Sequence, residues 1–259
     1  MTDRHLSAPV ICVDGPSGSG KGSLATALAE RLGWRYLDSG ALYRVIGAVA
    51  LERGVATDNE AALASLAQGL EIKLADGRIG ADGIDLSQRI RDEAVAAAAS
   101  EAARHPQVRQ AILDQQRRAA DGTSGLVADG RDMGTVVFPG AELKIFLDAS
   151  VEERAQRRHK QLRNKGVAVN LRKVLANIRD RDERDERRAA SPLRPASDAV
   201  IIDSTHMAIA DVLRQALDLA RERGLAEAPP VASQEQRKTS TNPRSGRAPH
   251  PRAASKPKT

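Results

Sequence analysis

The densest chemistry in this chain lies in one glycine-rich stretch, Val10 to Ser23, VICVDGPSGSGKGS, which fits the pattern G-x-x-x-x-G-K from Gly15 to Lys21. Such a loop cradles the phosphates of a nucleoside triphosphate. Backbone N–H groups turned inward meet phosphate oxygens, and a lysine adds a full positive charge. The candidate cradle is Gly15, Pro16, Ser17, Gly18, Ser19, Gly20, Lys21, Gly22 and Ser23. Gly18, Gly20 and Gly22 are expected to let the backbone curl. The general pattern has Ser or Thr directly after the lysine. Here Gly22 intervenes and the hydroxyl comes at Ser23, so its direct coordination of magnesium is left open. The bland alternative is a Gly/Ser-rich turn, but the flanks supply what the mechanism needs. Val10 to Val13 reads as a buried strand. Leu24, Leu28 and Leu32 stand four apart on a helix that Gly33 can end. The helix N-terminus adds partial positive charge beside the loop.

Phosphoryl transfer asks a protein for charge neutralisation and positioning rather than covalent chemistry, so arginines from several segments are expected around such a loop. Three further segments offer them. Asp38-Ser39-Gly40 precedes a helical pattern holding Arg44; Ser39 reads equally as an N-cap. Asp129-Gly130-Arg131-Asp132 follows a short apolar run. Asp129, at a strand end, is a magnesium candidate along with Ser23, and Arg131 has the fork geometry for phosphate. On a helix turning about 100° per residue, Arg181, Arg184, Asp185 and Arg188 share one arc, while Asp182, Glu183 and Glu186 point elsewhere. That arc is either a phosphate-facing cluster or a solvated face laced with ion pairs. Arg154, Arg157 and Arg158 have the same two readings. His105 and His159 lack partners at metal-ligand spacing, and Cys12 reads as a small core residue.

These groups need elements to position them. Strand-like runs are expected at Val10–Val13, Trp34–Leu37, Leu126–Ala128, Leu143–Leu147 and Val200–Ile202, the last as a buried strand. Helical stretches alternate with them, one opening on the capping-box pattern Ser150-x-x-Glu153. That alternation predicts an α/β fold with a parallel sheet flanked by helices. Residues 71–87 break it with short alternating runs around Asp76-Gly77 and Asp82-Gly83, the signature of a small antiparallel insertion. An Ala-rich helical stretch from about Gln88 to Ala120, broken near Pro106, follows it.

Composition narrows the class. The 259 residues carry a formal charge of +6, which suggests nucleic acid until its location is considered. Seven basic and no acidic residues lie between Arg237 and Thr259. Without them, the chain's 40 lysines and arginines become 33 against 34 acidic residues. The basic character belongs to a Pro/Ser/Gly-rich tail, 226–259, expected to be disordered. One cysteine precludes an internal disulfide framework, and no stretch resembles a leader or a membrane span. A cytoplasmic protein is expected.

GPSGSGKGS (Gly15–Ser23), LDSGALYR (Leu37–Arg44), ADGRDMGTVVFP (Ala128–Pro139), KIFLDAS (Lys144–Ser150) and RDERDERR (Arg181–Arg188) together resemble the bacterial cytidylate kinases, within the nucleoside monophosphate kinases. The resemblance runs from about Val10 to Arg223, and Gly22 before Ser23 is ordinary in that superfamily. It implies a phosphate-loop kinase domain over about 8–225. A monophosphate-binding insertion would occupy about 65–105 and a helical lid about 154–190. It also implies transfer from ATP to CMP or dCMP with magnesium, held through the substrate phosphates with Ser23 and Asp129 as candidate contacts. By resemblance, Lys21, Asp129, Arg131 and Arg188 carry catalysis. Ser39, Arg44, Ser100, Arg109, Arg131, Asp132, Arg181, Asp185 and Arg188 bind the acceptor. Asp132 would accept from the N4 amino group of cytosine, where uracil's carbonyl is repelled. Without the family, Ser100 and Arg109 read as surface residues. A monomer with no membrane and no specific nucleic-acid partner is expected. The alternatives are a kinase for another monophosphate such as UMP, or a nucleotide-dependent RNA-binding protein acting through its tail.

Overall fold

In a computed structural model of the chain, residues 8–75, 78–164, 166–188 and 191–227 are described. The N-terminal residues 1–7, the Asp76-Gly77 turn and all of the basic tail from 228 onward lie outside the described residues.

β1 (Val10–Asp14) is apolar at four of its five positions and buried throughout. It is the central strand of a five-stranded sheet, ordered β2-β6-β1-β7-β8, with β2 at Arg35–Asp38, β6 at Leu126–Gly130, β7 at Leu143–Asp148 and β8 at Val200–Asp203. Every pairing is parallel, as the alternation of strands and helices predicts. Side chains of β1 alternate between faces. Val10 and Cys12 join a core with α2 (Ser39–Glu52), α3 (Glu60–Gly69) and α5 (Pro106–Arg118). Ile11 and Val13 join a second core with α1 (Lys21–Leu32) and α8 (Ile209–Glu222). Leu24 and Leu28 of the expected helical stripe are fully buried there.

The small antiparallel sheet is β3 (Ile72–Ala75), β4 (Arg78–Ala81) and β5 (Ile84–Asp85). Its second turn, Asp82-Gly83, has positive φ at both residues (51° and 81°), the backbone a tight two-residue hairpin requires. α4 (Glu93–Ala102) packs against α2, and α5 follows it, opened by Pro106 in its first turn. α6 (Val151–Asn164) and α7 (Leu171–Glu186) pack on each other around Ala155, Val174 and Ile178.

Several expectations need correction. The second strand starts at Arg35 rather than Trp34, because the Trp34 N–H bonds back to Ala29 O and closes α1 behind left-handed Gly33. β8 is not a buried strand. It is the sheet edge, Ile201 is 60% exposed, and only Ile202 is buried. Half of the capping box forms, with the Glu153 N–H donating to Ser150 Oγ. The Glu153 carboxylate turns instead to Arg157 at 2.9 Å. Among the described residues no helix is long and apolar enough to cross a membrane.

Candidate active site

The carboxyl ends of β1, β2 and β6 lie side by side, with Asp14 opposite Gly130 and Asp38 opposite Asp129. This edge is where ligands enter open α/β sheets. The glycine-rich loop leaves β1 and runs into α1. A Cβ on Gly15 would lie 2.1 Å from Leu147 O, so only glycine lets the chain turn beside β7. Gly20 caps α1 in the left-handed region, φ 95°. Gly22 differs from the expectation. It sits in the first turn of α1, and what requires glycine there is space. A Cβ would come within 3.0 Å of the Asp129 carboxylate.

Lys21 Nζ donates to Pro16 O (3.3 Å). Its pKa is lowered to about 8 by burial, then by Arg131, with Arg181 in the same direction and Asp129 opposing. Asp129 accepts from the Tyr36 hydroxyl (3.1 Å). Burial raises it to about 6, with Asp38 adding to the rise against Lys21 and Arg131. Ser23 is exposed on the first turn of α1. A buried carboxylate at a strand end, with a hydroxyl on the neighbouring helix turn, offers oxygen donors of the kind a hard divalent cation takes. Among the described residues, no group of three or more His, Cys, Asp or Glu side chains forms a self-contained metal cage.

Three arginines gather around one carboxylate. Asp185, on the last turn of α7, is 7% exposed. Arg131 Nε donates to it at 2.9 Å, and Arg188 Nη2 stands 3.6 Å away. Burial opposes its ionisation, but Arg131, Arg188 and Arg181 together hold its pKa below the usual carboxylate value. Arg181 Nη1 reaches Ser17 Oγ of the loop (3.4 Å). Burial, then Arg131, pulls Arg181 down to about 10. Arg181 Nε and Arg188 Nη2 are buried without a hydrogen-bond partner among the described residues. The arc differs from the expectation at two places. Arg184 is exposed and, among the described residues, donates to Asp180 O of its own helix. Asp182, expected to point elsewhere, faces inward and pairs with Arg154 at 2.6 Å, because α6 packs against that side of α7. Arg188 lies just past the helix end, where Leu193 N–H bonds back to Asp185 O and folds the chain over.

Arg154 and Arg157 do not form a solvated face. Arg154 donates to Ser17 O (3.1 Å), and Arg157 donates to Ser19 O (3.0 Å) and Ser204 O (2.6 Å). The start of α6 is thus clamped to the loop's carbonyls. Arg158 pairs with Glu93 of α4 at 2.7 Å. Among the arginines that start α6, it alone fits the expected basic face.

Beside this cluster lies a cavity of about 170 Å³ lined by Tyr43, Arg109, Gln116, Asp132, Val136 and Ser191, among others. The Arg109 guanidinium pairs with the Asp132 carboxylate and stacks over the Tyr43 ring, 5.6 Å from its centre. Ser191 Oγ accepts from Arg109 Nε at 3.2 Å. Ser39 is not an N-cap. Asp38 takes that role, accepting from Ala41 N–H (3.0 Å) while its other oxygen pairs with Arg44 at 2.5 Å. Ser39, buried in the first turn of α2, accepts instead from Gln116 Nε2 (3.0 Å). Ser100 is half-buried on α4 and does not line the cavity. Tyr43, Gln116, Ser191, Tyr36 and Asp14 were not singled out by sequence reasoning. The LDSGALYR stretch contains Tyr43 and could have flagged it; Gln116 and Ser191 carry no local signal.

A family model described as cytidylate kinase matches residues 11–222. The cytidylate kinase of Aeromonas salmonicida is 53% identical over 220 residues, 83% of this chain and 95% of that protein. That of Serratia proteamaculans is 54% identical over 220 residues, 83% of this chain and 96% of that protein. Among solved structures, a gluconokinase from Sinorhizobium meliloti is 20% identical with a TM-score of 0.45. It spans 85% of this chain and 96% of its own.

Proposed function

This chain belongs to the cytidylate kinase family, and we propose that it moves the γ-phosphoryl group of ATP onto CMP or dCMP. An oxygen of the acceptor phosphate bonds to the γ-phosphorus, the bridging bond to ADP breaks, and ADP leaves with CDP or dCDP. The observation that carries this reading is the position of Arg131, Arg181 and Arg188. They come from two segments, the turn after β6 and the end of α7, and surround Asp185 between the glycine-rich loop and the Arg109–Asp132 cavity.

In this reading the loop amides, the N-terminus of α1 and Lys21 bind the triphosphate. Arg131 and Arg188 exchange Asp185 for the phosphate being transferred, where their charge offsets what builds up on its equatorial oxygens. Arg44 and Ser39 hold the acceptor phosphate, and Arg181 with Asp185 meets the sugar. Asp132, oriented by Arg109, accepts from the N4 amino group of cytosine, with Ser100 completing the base contact; the carbonyl of uracil would face the carboxylate with like polarity. Arg154 and Arg157 fix the root of α6 on the loop, so residues 154–190 serve as the lid that excludes water. Residues 65–105 serve as the acceptor-side insertion. Magnesium, held chiefly by the substrate phosphates with Asp129 and Ser23 as the protein's oxygens, would neutralise phosphate charge. The cytoplasm fits the lone buried Cys12, and nothing in the reaction calls for a second copy of the chain.

ADP release measured with ATP and each common nucleoside monophosphate tests the reading. CMP and dCMP should turn over far faster than UMP, AMP or GMP. Equal rates with UMP and CMP would overturn the base assignment, and no turnover with any acceptor would overturn the kinase.

A further inference from the structure

The segment that carries Arg131 and Asp132 continues into a π-helical turn, Met133–Val137, with the Phe138 N–H bonded to Met133 O five residues back. Such turns carry orphan N–H groups at their start. An aspartate just ahead of a helical turn normally folds its carboxylate back onto those amides. Asp132 occupies that position, yet its side chain makes no capping bond. The amides are already taken. Asp14, at the carboxyl end of β1 and 5% exposed, accepts from Met133 N–H at 2.9 Å with one oxygen and from Gly134 N–H at 2.8 Å with the other. The carboxylate of Asp132 is thereby left to pair with Arg109 at the cavity wall.

We propose that Asp14 is a positioning residue for base recognition: it caps the turn after β6 in place of Asp132 and so holds the Asp132 carboxylate outward, facing the acceptor base. This rests on the reading that Asp132 meets cytosine. It ties the strand that feeds the glycine-rich loop to the turn that selects the acceptor. Two further contacts keep the turn seated. The Lys144 stem lies against Gly134, where a Cβ would come 3.1 Å from Cδ. Lys144 Nζ is anchored by Pro139 O (2.5 Å) and Asp198 (2.9 Å). Among the described residues Asp14 hydrogen-bonds to neither the cavity wall nor the arginine cluster, so its effect on the acceptor passes through the turn.

The test is the ratio of kcat/KM for CMP to that for UMP in Asp14→Asn, with Asp14→Ser as a second variant. Circular dichroism and thermal melting would establish that each folds. Asparagine keeps one acceptor and sets an NH2 against a backbone N–H. Asp132 is then drawn back to cap its own turn, and the ratio should fall about tenfold, chiefly through the KM for CMP, with the KM for ATP nearly unchanged. In an Asp132→Ala background the Asp14 change should leave the ratio where Asp132→Ala alone put it. A wild-type ratio in folded Asp14→Asn or Asp14→Ser, alongside a collapsed ratio in Asp132→Ala, overturns the inference and leaves the base reading standing. Equal losses for CMP, UMP and ATP also overturn it, since a purely structural residue would do that. If Asp132→Ala itself keeps the ratio, the base reading has failed and the Asp14 role falls with it.

Discussion

In the proposed reading the site has a donor half and an acceptor half, and the two are built in opposite ways. The donor half is nine consecutive residues, Gly15–Ser23, braced by backbone geometry and by Arg154 and Arg157 on its carbonyls. The acceptor half draws Tyr43, Arg109, Asp132, Asp185 and Arg188 from α2, α5, the turn after β6, and α7 with the chain just past it. The donor half positions dipoles that cannot relax away. The acceptor half positions full charges, and each is held by another: Arg44 by Asp38, Arg109 by Asp132, Arg131 by Asp185. Its buried side-chain atoms without a hydrogen-bond partner among the described residues include Tyr43 Oη, Arg181 Nε and Arg188 Nη2. In the proposed reading, an arriving phosphate takes the place of the carboxylates that pair with these guanidiniums.

The contrast can be broken by mutation. The largest effect is expected at Lys21→Ala, a loss of about a thousandfold or more in kcat with the fold intact. Arg131→Ala should follow closely, and near-wild-type ADP release in either would remove the division of labour. Asp132→Ala should raise the KM for CMP by about ten- to a hundredfold with little change for ATP. Equal changes for both substrates would mean that the halves are not separate.

Proton linkage sharpens the comparison. Lys21 is lowered to about 8 in the free protein, chiefly by burial. The folded state thus sheds this proton before the unfolded chain does. Its contribution to stability is unfavourable below about 8 and is relieved as pH rises from there towards the ordinary lysine value. The triphosphate reverses the effect by favouring the charged amine. ATP binding should therefore take up about one proton near pH 9 and weaken as pH rises through that window. Calorimetry in buffers of different ionisation enthalpy would detect it, and Lys21→Met should abolish it. Asp14 and Asp129, raised to about 7 and about 6 by burial, act with the opposite slope. They cost stability as pH climbs from about 4 to 7.

The smallest effect is expected at the Arg158–Glu93 pair, whose side chains are 35% and 72% exposed. Arg158→Ala should leave the melting temperature and both KM values essentially unchanged, as exposed pairs do. A large change would make this bridge from α6 to α4 part of the working site.

What could be read without coordinates follows the same division. The loop, its strand and its helix are encoded within about two dozen consecutive residues, because glycine placement and a four-residue leucine spacing act locally. The parallel sheet followed from strands alternating with helices. The antiparallel insertion followed from Asp-Gly turns, although Asp76-Gly77 lies outside the described residues. The arc of Arg181, Asp185 and Arg188 was visible as helical geometry, but Arg184 was wrongly included. Helical phase gives a direction and not what packs there, and α6 came to rest against Asp182.

The sequence by itself determined the chemical inventory: a glycine-rich loop with one lysine, a supply of guanidiniums and carboxylates, and a fold that brings strand ends together. Only the tertiary structure decided which side chains are partners. Asp38 rather than Ser39 caps α2, Gln116 meets Ser39, Ser191 meets Arg109, and Asp14 takes the amides that Asp132 would otherwise claim. The physical reason is that backbone dihedrals and side-chain periodicity are fixed within a few residues. A hydrogen bond between residues 14 and 133 exists only after β1 and β6 have paired in register.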